Sequence, residues 1–224
     1  MTVFRTRFKR PAMVLVAFVA MLVAGPHVRW MDIDSDRTGA DHAPQDSSAS
    51  IDFSFEQVDR QAILALIDEH RGDTDVEWRV NVSEAIYDEA MAVGIDPLLV
   101  AAIVARESSF RNRVVSHAGA VGLMQLRPFV AKDLARQQDL EWHGHETLHR
   151  PEVNVRLGAS YYRQLVHLFD GDAQLALAAY HRGPTRLRRQ LDRGTFAGSR
   201  YASRVMELYE ALSAGRSDLL LRQG

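Results

Sequence analysis

Residues 95–110 read Ile-Asp-Pro-Leu-Leu-Val-Ala-Ala-Ile-Val-Ala-Arg-Glu-Ser-Ser-Phe. Asp96-Pro97 is an N-cap followed by a first-turn proline, the opening of a helix. Leu99, Ile103 and Glu107 are four apart and share one face of that helix, with Val100 and Val104 beside it. A carboxylate that continues an apolar stripe is partly desolvated, and at a helix C-terminus it faces the unfavourable end of the macrodipole. Both effects disfavour the ionised form and raise the pKa. That is how a carboxylic acid is kept protonated near neutrality. The stretch predicts a buried helix ending on a candidate general acid; the competing reading of Glu107 is a solvated last-turn glutamate.

The flanking sequence adds weight to the first reading. Gly119-Ala120-Val121-Gly122-Leu123-Met124-Gln125-Leu126-Arg127-Pro128 places two glycines three apart among apolar residues, a tight turn with close backbone approach. Asn154, Gly158 and Tyr161 fall on one predicted helix, followed by Ala178-Ala179-Tyr180-His181-Arg182-Gly183-Pro184.

These blocks, in this order, resemble the catalytic domain of the soluble lytic transglycosylase family, the goose-lysozyme-like enzymes that cleave peptidoglycan. The blocks are Glu-Ser-x-Phe, Gly-x-x-Gly-Leu-Met-Gln-Leu-x-Pro, Asn-x-x-x-Gly-x-x-Tyr and Ala-Tyr-x-x-Gly-Pro, with a weaker fifth at Tyr201, Val205 and Tyr209. The resemblance covers roughly residues 80 to 212. It implies an α+β, predominantly α-helical, lysozyme-like fold with a small β element beside the cleft.

The resemblance also implies a reaction. Family members break the β-1,4 bond between N-acetylmuramic acid and N-acetylglucosamine with one glutamate, which acts first as acid and then as base on the C6 hydroxyl. The substrate's own N-acetyl group assists, and a 1,6-anhydro sugar results without consumption of water. Glu107 matches that glutamate. Ser116 falls where the family has a serine near the reacting sugar, its other reading being a turn hydroxyl. Met124 and Gln125 match a pair lining the cleft, Gln125 as donor and acceptor to sugar hydroxyls and Met124 as a soft apolar wall or as core. Tyr180 matches a tyrosine whose hydroxyl points at the catalytic centre, and His181 follows it. Asn154 and Gly158 read as structural, through a buried hydrogen-bonding side chain and close helix packing. No second carboxylate lies in the matched blocks, which fits a lytic outcome. A muramidase hydrolysing the same bond, or an inactive peptidoglycan-binding scaffold, are the alternatives.

The chain departs from the family at three places. His181 replaces the usual Asn and brings a group that titrates near neutrality. Arg127 stands where Met or Thr is usual. Phe196-Ala197-Gly198-Ser199 offers none of the acid that some members carry before the last helix.

Composition bounds the rest. The 224 residues, 46% of them hydrophobic, hold one domain with a core plus appendages. Cysteine is absent, which excludes disulfides, thiolate metal sites and a lipid-attachment cysteine. His143-Gly144-His145 with His149 reads as a loop rather than a zinc site, and no cofactor or metal is expected. Residues 31–95 carry sixteen acids against four bases, whereas residues 96–216 carry twelve against seventeen. A basic segment would attract the carboxylates of peptidoglycan stem peptides. Alternatively, Arg182, Arg186, Arg188, Arg189 and Arg193 form a solvated helix face. Nothing resembles a nucleic-acid module. The expected partner is therefore the peptidoglycan glycan strand, with a cell-wall or secretion-machinery protein left open.

At the N-terminus, Arg5, Arg7, Lys9 and Arg10 precede the apolar run Ala12–Gly25 and its small-residue tail Leu22-Val23-Ala24. The run is shorter than the ~20 residues of a membrane span. Residues 1–25 thus read as a signal peptide or short membrane anchor, placing the domain in the periplasm or cell envelope. Residues 26–52 read as a flexible acidic linker, 53–79 as an N-terminal helical segment, 80–214 as the lysozyme-like domain and 215–224 as a tail. Ser54 with Gln57, and Asn81 with Glu84, predict capping boxes opening the first two helices. Pro128, Pro151 and Asp172 open later ones, and a last helix runs from about Ser199 to Ala214.

Overall fold

The computed structural model describes residues 47–223, with side chains for residues 55–221. Nine helices fill these residues: α1 Ser47–Arg71, α2 Val76–Ala92, α3 Pro97–Ser108, α4 Pro128–Gln137, α5 His145–Leu148, α6 Pro151–Leu168, α7 Ala173–Arg182, α8 Pro184–Asp192 and α9 Arg200–Gln223. The domain is predominantly helical.

The axis of the core is α3, whose residues Pro97 to Ala105 are all buried. Its start is as expected: the Asp96 carboxylate accepts from the Leu98 N–H at 2.9 Å, and Pro97 needs no donor partner there. Around it pack α1, α2 and α9, while α6 lies against α2, α4 and α7, and α8 follows α7. An all-apolar helix of three turns is stable only when enclosed on every side, and these neighbours enclose it. Pro128, Pro151 and Asp172 open α4, α6 and α7 as their sequence predicts, the Asp172 side chain accepting from Leu175 N–H at 2.9 Å.

Several boundaries differ from the sequence reading. Helix α1 already runs through Ser47, into the expected linker, and Ser54 lies within it. Helix α2 starts at Val76 with Asp75 as its cap, the Asp75 carboxylate accepting from Trp78 N–H at 3.1 Å; Asn81 and Glu84 sit inside the helix. Helix α9 continues to Gln223, through the residues read as a tail, and its Arg216 bonds Asp59 on α1 and the Asp96 cap of α3. The segment read as 53–79 therefore shares one core with the helices after it. No described helix is long and apolar enough to cross a membrane. The expected signal or anchor at 1–25, and the linker up to residue 46, lie outside the described residues.

The small β element expected beside the cleft is also corrected. Among the described residues it shrinks to two isolated antiparallel bridges, Val115 with Val121 and Val121 with Leu126. Gly119, Gly122 and Gln125 all take positive φ (75°, 82° and 49°) and break each extended run before a strand can propagate. What remains is a tightly folded loop closed by Val121 N–H to Leu126 O at 2.9 Å and Gly122 N–H to Val114 O at 3.0 Å.

Candidate active site

Helix α3 delivers Glu107 in its last turn. The chain then turns away through two left-handed residues, Ser109 (φ 50°) and Phe110 (φ 57°). Such residues cost about 1–3 kcal/mol each; here the Phe110 ring is fully buried and Ser109 N–H bonds Ala105 O at 3.0 Å, which offsets that strain. The loop 111–127 thereby folds back across the end of α3.

Between this loop, α6, α7 and α8 lies a groove of about 760 Å³. Glu107, Ser116, Gln125, Tyr161, Tyr180 and His181 line it, together with Arg127, Arg182, Arg186 and Arg189. Glu107 is the sole acid among its described lining residues. Burial pushes its carboxyl from the ordinary 4.5 up to about 7, with Tyr201 and Arg106 pulling in the opposite direction. The Tyr201 hydroxyl is close enough to bear on the carboxyl, yet it is buried without a partner in strict hydrogen-bond geometry.

The groove is rich in acceptors. Tyr180 donates its one hydroxyl proton to Met124 O at 2.7 Å, so it offers only lone pairs to anything else. Gln125 differs from its expected donor-and-acceptor role. Its amide nitrogen is committed to Gly122 O at 2.9 Å and Val114 O at 3.2 Å, which leaves Oε1 as the available group. Ser116 Oγ accepts from Ala120 N–H at 3.0 Å, as a turn hydroxyl does, and keeps its own proton to donate. Oxygen acceptors set around a protonated carboxyl suit a ligand covered in hydroxyl donors.

Met124 is the one expected cleft residue that the structure moves elsewhere. Its side chain is fully buried, packed on Gly158, where an added Cβ would stand 2.7 Å from Met124 Cβ. It is core, and only its carbonyl serves the site. Asn154, also fully buried, accepts from Met124 N–H at 2.8 Å and donates to Leu148 O at 2.9 Å and Val121 O at 3.0 Å. One side chain thus pins two points of the loop that carries Gln125 and ties them to the end of α5 at Leu148.

A model of the transglycosylase SLT domain matches residues 84–201, more than half of the chain. The chain belongs to the SLT domain family. Over 74 residues this SLT domain is 45% identical to an endo-type membrane-bound lytic murein transglycosylase A of Klebsiella pneumoniae, covering 31% of this chain and 36% of that protein. It is 36% identical over 98 residues to a soluble lytic murein transglycosylase of Salmonella typhimurium, covering 43% of this chain and 15% of that protein. A transglycosylase of Enterobacteria phage PRD1 is 38% identical over 100 residues, covering 45% and 34% respectively. The matches thus span about a third or less of these relatives' own length. In fold, the SLT domain matches the 70 kDa soluble lytic transglycosylase of Escherichia coli with a TM-score of 0.52 at 21% identity, over 72% of this chain and 29% of that one.

Two residues at this SLT domain's site escaped the sequence reading as site residues, Tyr201 and Phe129. Tyr201, known only as part of the weak fifth block, is the neighbour that bears on Glu107, and it stacks on His181 with ring centroids 4.6 Å apart and planes at 14°. Burial, then Arg182 and Arg106, hold His181 below its usual range, so the replacement of Asn brings a neutral ring at pH 7 rather than a charge. Phe129 is 65% exposed on the groove wall beneath the Arg127 guanidinium, at 5.6 Å. It lies off the buried side of α4 formed by Ala131, Leu134 and Ala135, which was the available signal. The arginine run also divides: Arg182, Arg186 and Arg189 line the groove, whereas Arg188 lies over the Phe169 ring at 5.9 Å.

Proposed function

We propose that this protein is a peptidoglycan lytic transglycosylase that cleaves the bond between N-acetylmuramic acid and N-acetylglucosamine and leaves 1,6-anhydro ends. The observation that carries the reading is Glu107, a lone carboxyl held up to about 7 in a groove otherwise walled by aromatic, amide and arginine side chains. A carboxylic acid protonated at neutral pH is the group required to protonate a leaving glycosidic oxygen.

In the proposed sequence, Glu107 gives its proton to the bridging oxygen as the anomeric C1–O bond breaks. The carbonyl oxygen of the substrate's 2-acetamido group supports the electron-poor carbon. The Glu107 carboxylate then takes the proton from the C6 hydroxyl while O6 bonds to C1. Proton and electron pair balance, and no water enters. Tyr180 and Gln125 accept from sugar hydroxyls, Ser116 donates, and His181 holds the far wall by stacking on Tyr201. Phe129 offers an exposed ring on which the apolar face of a sugar can rest. The proposed setting is the cell envelope, where the helical body from α1 to α9 acts as the catalytic unit and glycan strands are the partner.

The want of a second carboxylate among the groove's described lining residues supports a lytic over a hydrolytic outcome. Mass analysis of sacculi digested with the purified chain tests this. Anhydro-ended fragments are expected; reducing-ended fragments would make the protein a muramidase, and no fragments a binding scaffold. Glu107→Gln is expected to retain glycan binding and lower turnover roughly 10²- to 10⁴-fold, the usual weight of a general acid.

A further inference from the structure

The last three residues of α7 each tie down a different piece of the chain. Successive residues of a helix point about 100° apart, so the three reach different neighbours. Tyr180 donates to Met124 O at 2.7 Å, and Arg182 donates to Gly198 O at 3.1 Å, just before α9. Between them, His181 lays its ring on Tyr201 in the first turn of α9, with centroids 4.6 Å apart and planes at 14°. His181 is exposed and lines both the groove of Glu107 and a second cavity, of about 830 Å³, that Tyr201 also borders. The Tyr201 hydroxyl bears on the Glu107 carboxyl but is buried without a partner in strict hydrogen-bond geometry. Parallel ring packing restricts the swing of a phenol about its side-chain torsions and so fixes where its hydroxyl stands.

Charge determines when that stack is favoured. Around the two cavities stand Arg106 and Glu107 of α3, Arg127 before α4, Arg182 of α7, Arg186 and Arg189 of α8, and Arg200 and Arg204 of α9. The phenols of Tyr161, Tyr180 and Tyr201 complete the titratable set, and Glu107 is the sole acid among these described groups. As pH falls, Glu107 takes its proton first, at about 7. His181, held below its ordinary 6.5 by burial and by Arg182 and Arg106, takes its own later. An imidazolium would then face guanidiniums and a neutral acid, with no counter-charge. The Tyr201 ring face attracts a cation, yet a base whose pKa is lowered in place is disfavoured there once charged. The stack suits the neutral ring.

We propose that His181 is a positioning residue for the general acid, holding through its stack the Tyr201 hydroxyl against the Glu107 carboxyl. The proposal rests on the reaction proposed above and adds a second titration to it. The rate should rise as pH falls through about 7 and Glu107 gains its proton, then decline below 6.5 as His181 becomes charged and leaves the stack. Asparagine, the residue usual in the family at this position, has neither a ring to stack nor a proton to take up in this range.

The test is a double-mutant cycle on the full chain, read in kcat, KM and the Glu107 titration. His181→Ala and Tyr201→Phe are each expected to lower kcat about tenfold with KM kept within about twofold. The double variant should fall no further than the worse single one, because both remove the same hydroxyl contact. His181→Phe keeps a stacking ring that cannot charge. It should recover kcat to within about threefold of wild type and stay flat down to about pH 5, where wild type falls about threefold or more. Losses that add in the double variant, or an acid limb that persists in His181→Phe, overturn the proposal. Carbon-13 NMR of the Glu107 carboxyl gives a reading that needs no turnover. Tyr201 opposes the rise in the Glu107 pKa, so loss of its hydroxyl contact should raise that pKa by about half a pH unit more in either single variant, and no further in the double. A wild-type value in His181→Ala beside a raised one in Tyr201→Phe rejects the positioning role. A wild type that cleaves no glycan rejects the proposed activity, while the carboxyl titration still decides the role of His181.

Discussion

The Tyr180 hydroxyl donates to Met124 O at 2.7 Å across 56 positions of sequence, joining the last turns of α7 to the loop that carries Gln125. This bond ties two groove-lining segments together, and it explains why the residue before Gln125 matters through its backbone although its side chain is core. It also confines Tyr180 to accepting on the groove side, whereas a free phenol could donate as well. Burial, with the Glu107 charge next in weight, raises the phenol well above its ordinary range, so it holds its proton.

Tyr180→Phe leaves the Met124 carbonyl without its partner. An unsatisfied buried acceptor costs about 1–3 kcal/mol, which urea unfolding should register as a lower midpoint at unchanged slope. Turnover should fall as well, because the loop that sets Gln125 is released. An unaltered midpoint would show that the carbonyl finds another donor.

Asn154→Asp tests the pin of the same loop. The Asn154 amide nitrogen donates to Val121 O and Leu148 O, and an ionised carboxylate there would face two carbonyl oxygens with nothing to donate. The folded form should favour the neutral acid, raising the folded pKa above the unfolded one. Such a group destabilises above the unfolded pKa of roughly 3.9 and ceases to do so below it. The variant should therefore be several kcal/mol less stable than wild type at pH 7, by the usual cost of a buried unpaired charge, and much closer to it at pH 4. Denaturant curves at the two pH values check this.

Legible and illegible features of the sequence divide along one physical line. Helix starts that rest on local chemistry were legible: Asp96-Pro97, Pro128, Pro151 and Asp172 all open helices. The capping patterns at Ser54 and Asn81 misled because a cap acts only where a helix begins, and the α2 start is fixed at Asp75. Met124 belonged to a cleft motif, yet Gly158 opposite it removes a Cβ and makes room for the thioether in the core. The β element failed because three positive-φ residues fall within seven positions, from Gly119 to Gln125. Glu107 was readable from its own helix, whereas Tyr201 comes from a helix 94 positions away, and only folding brings it near.

Arg216→Ala should expose how the far end of α3 is held. Arg216 donates to both Asp59 oxygens (3.2 and 3.3 Å) and to Asp96 Oδ2 at 3.0 Å, and Tyr209 donates to that same oxygen at 2.9 Å. Burial already raises Asp59 above its usual range, with Arg216 opposing and the Asp96 charge adding to the rise. Removing the guanidinium leaves two carboxylates facing each other, at a cost of about 3 kcal/mol for breaking a buried pair. Because Asp59 is a raised acid, its penalty applies above the ordinary 3.8 and is relieved as pH falls. The loss in Tm should therefore be larger at pH 7 than at pH 4.

Glu107 itself should leave a signature in stability that is independent of turnover. Its folded pKa of about 7 lies above the ordinary 4.5, so the unfolded chain releases this proton first. The group therefore costs nothing below 4.5, costs increasingly as pH rises to about 7, and costs a constant amount beyond that. At 1.36 kcal/mol per unit the full penalty is about 3 kcal/mol. Glu107→Gln cannot ionise and escapes it. The variant should gain up to about 3 kcal/mol over wild type at pH 8, with a smaller difference at pH 5. Urea unfolding of both proteins at the two pH values reads that change directly, since every other titrating group is shared. A difference that stays flat with pH would mean that the carboxyl ionises as freely in the folded chain as in the unfolded one, and the proposed acid would lose its proton before it could use it.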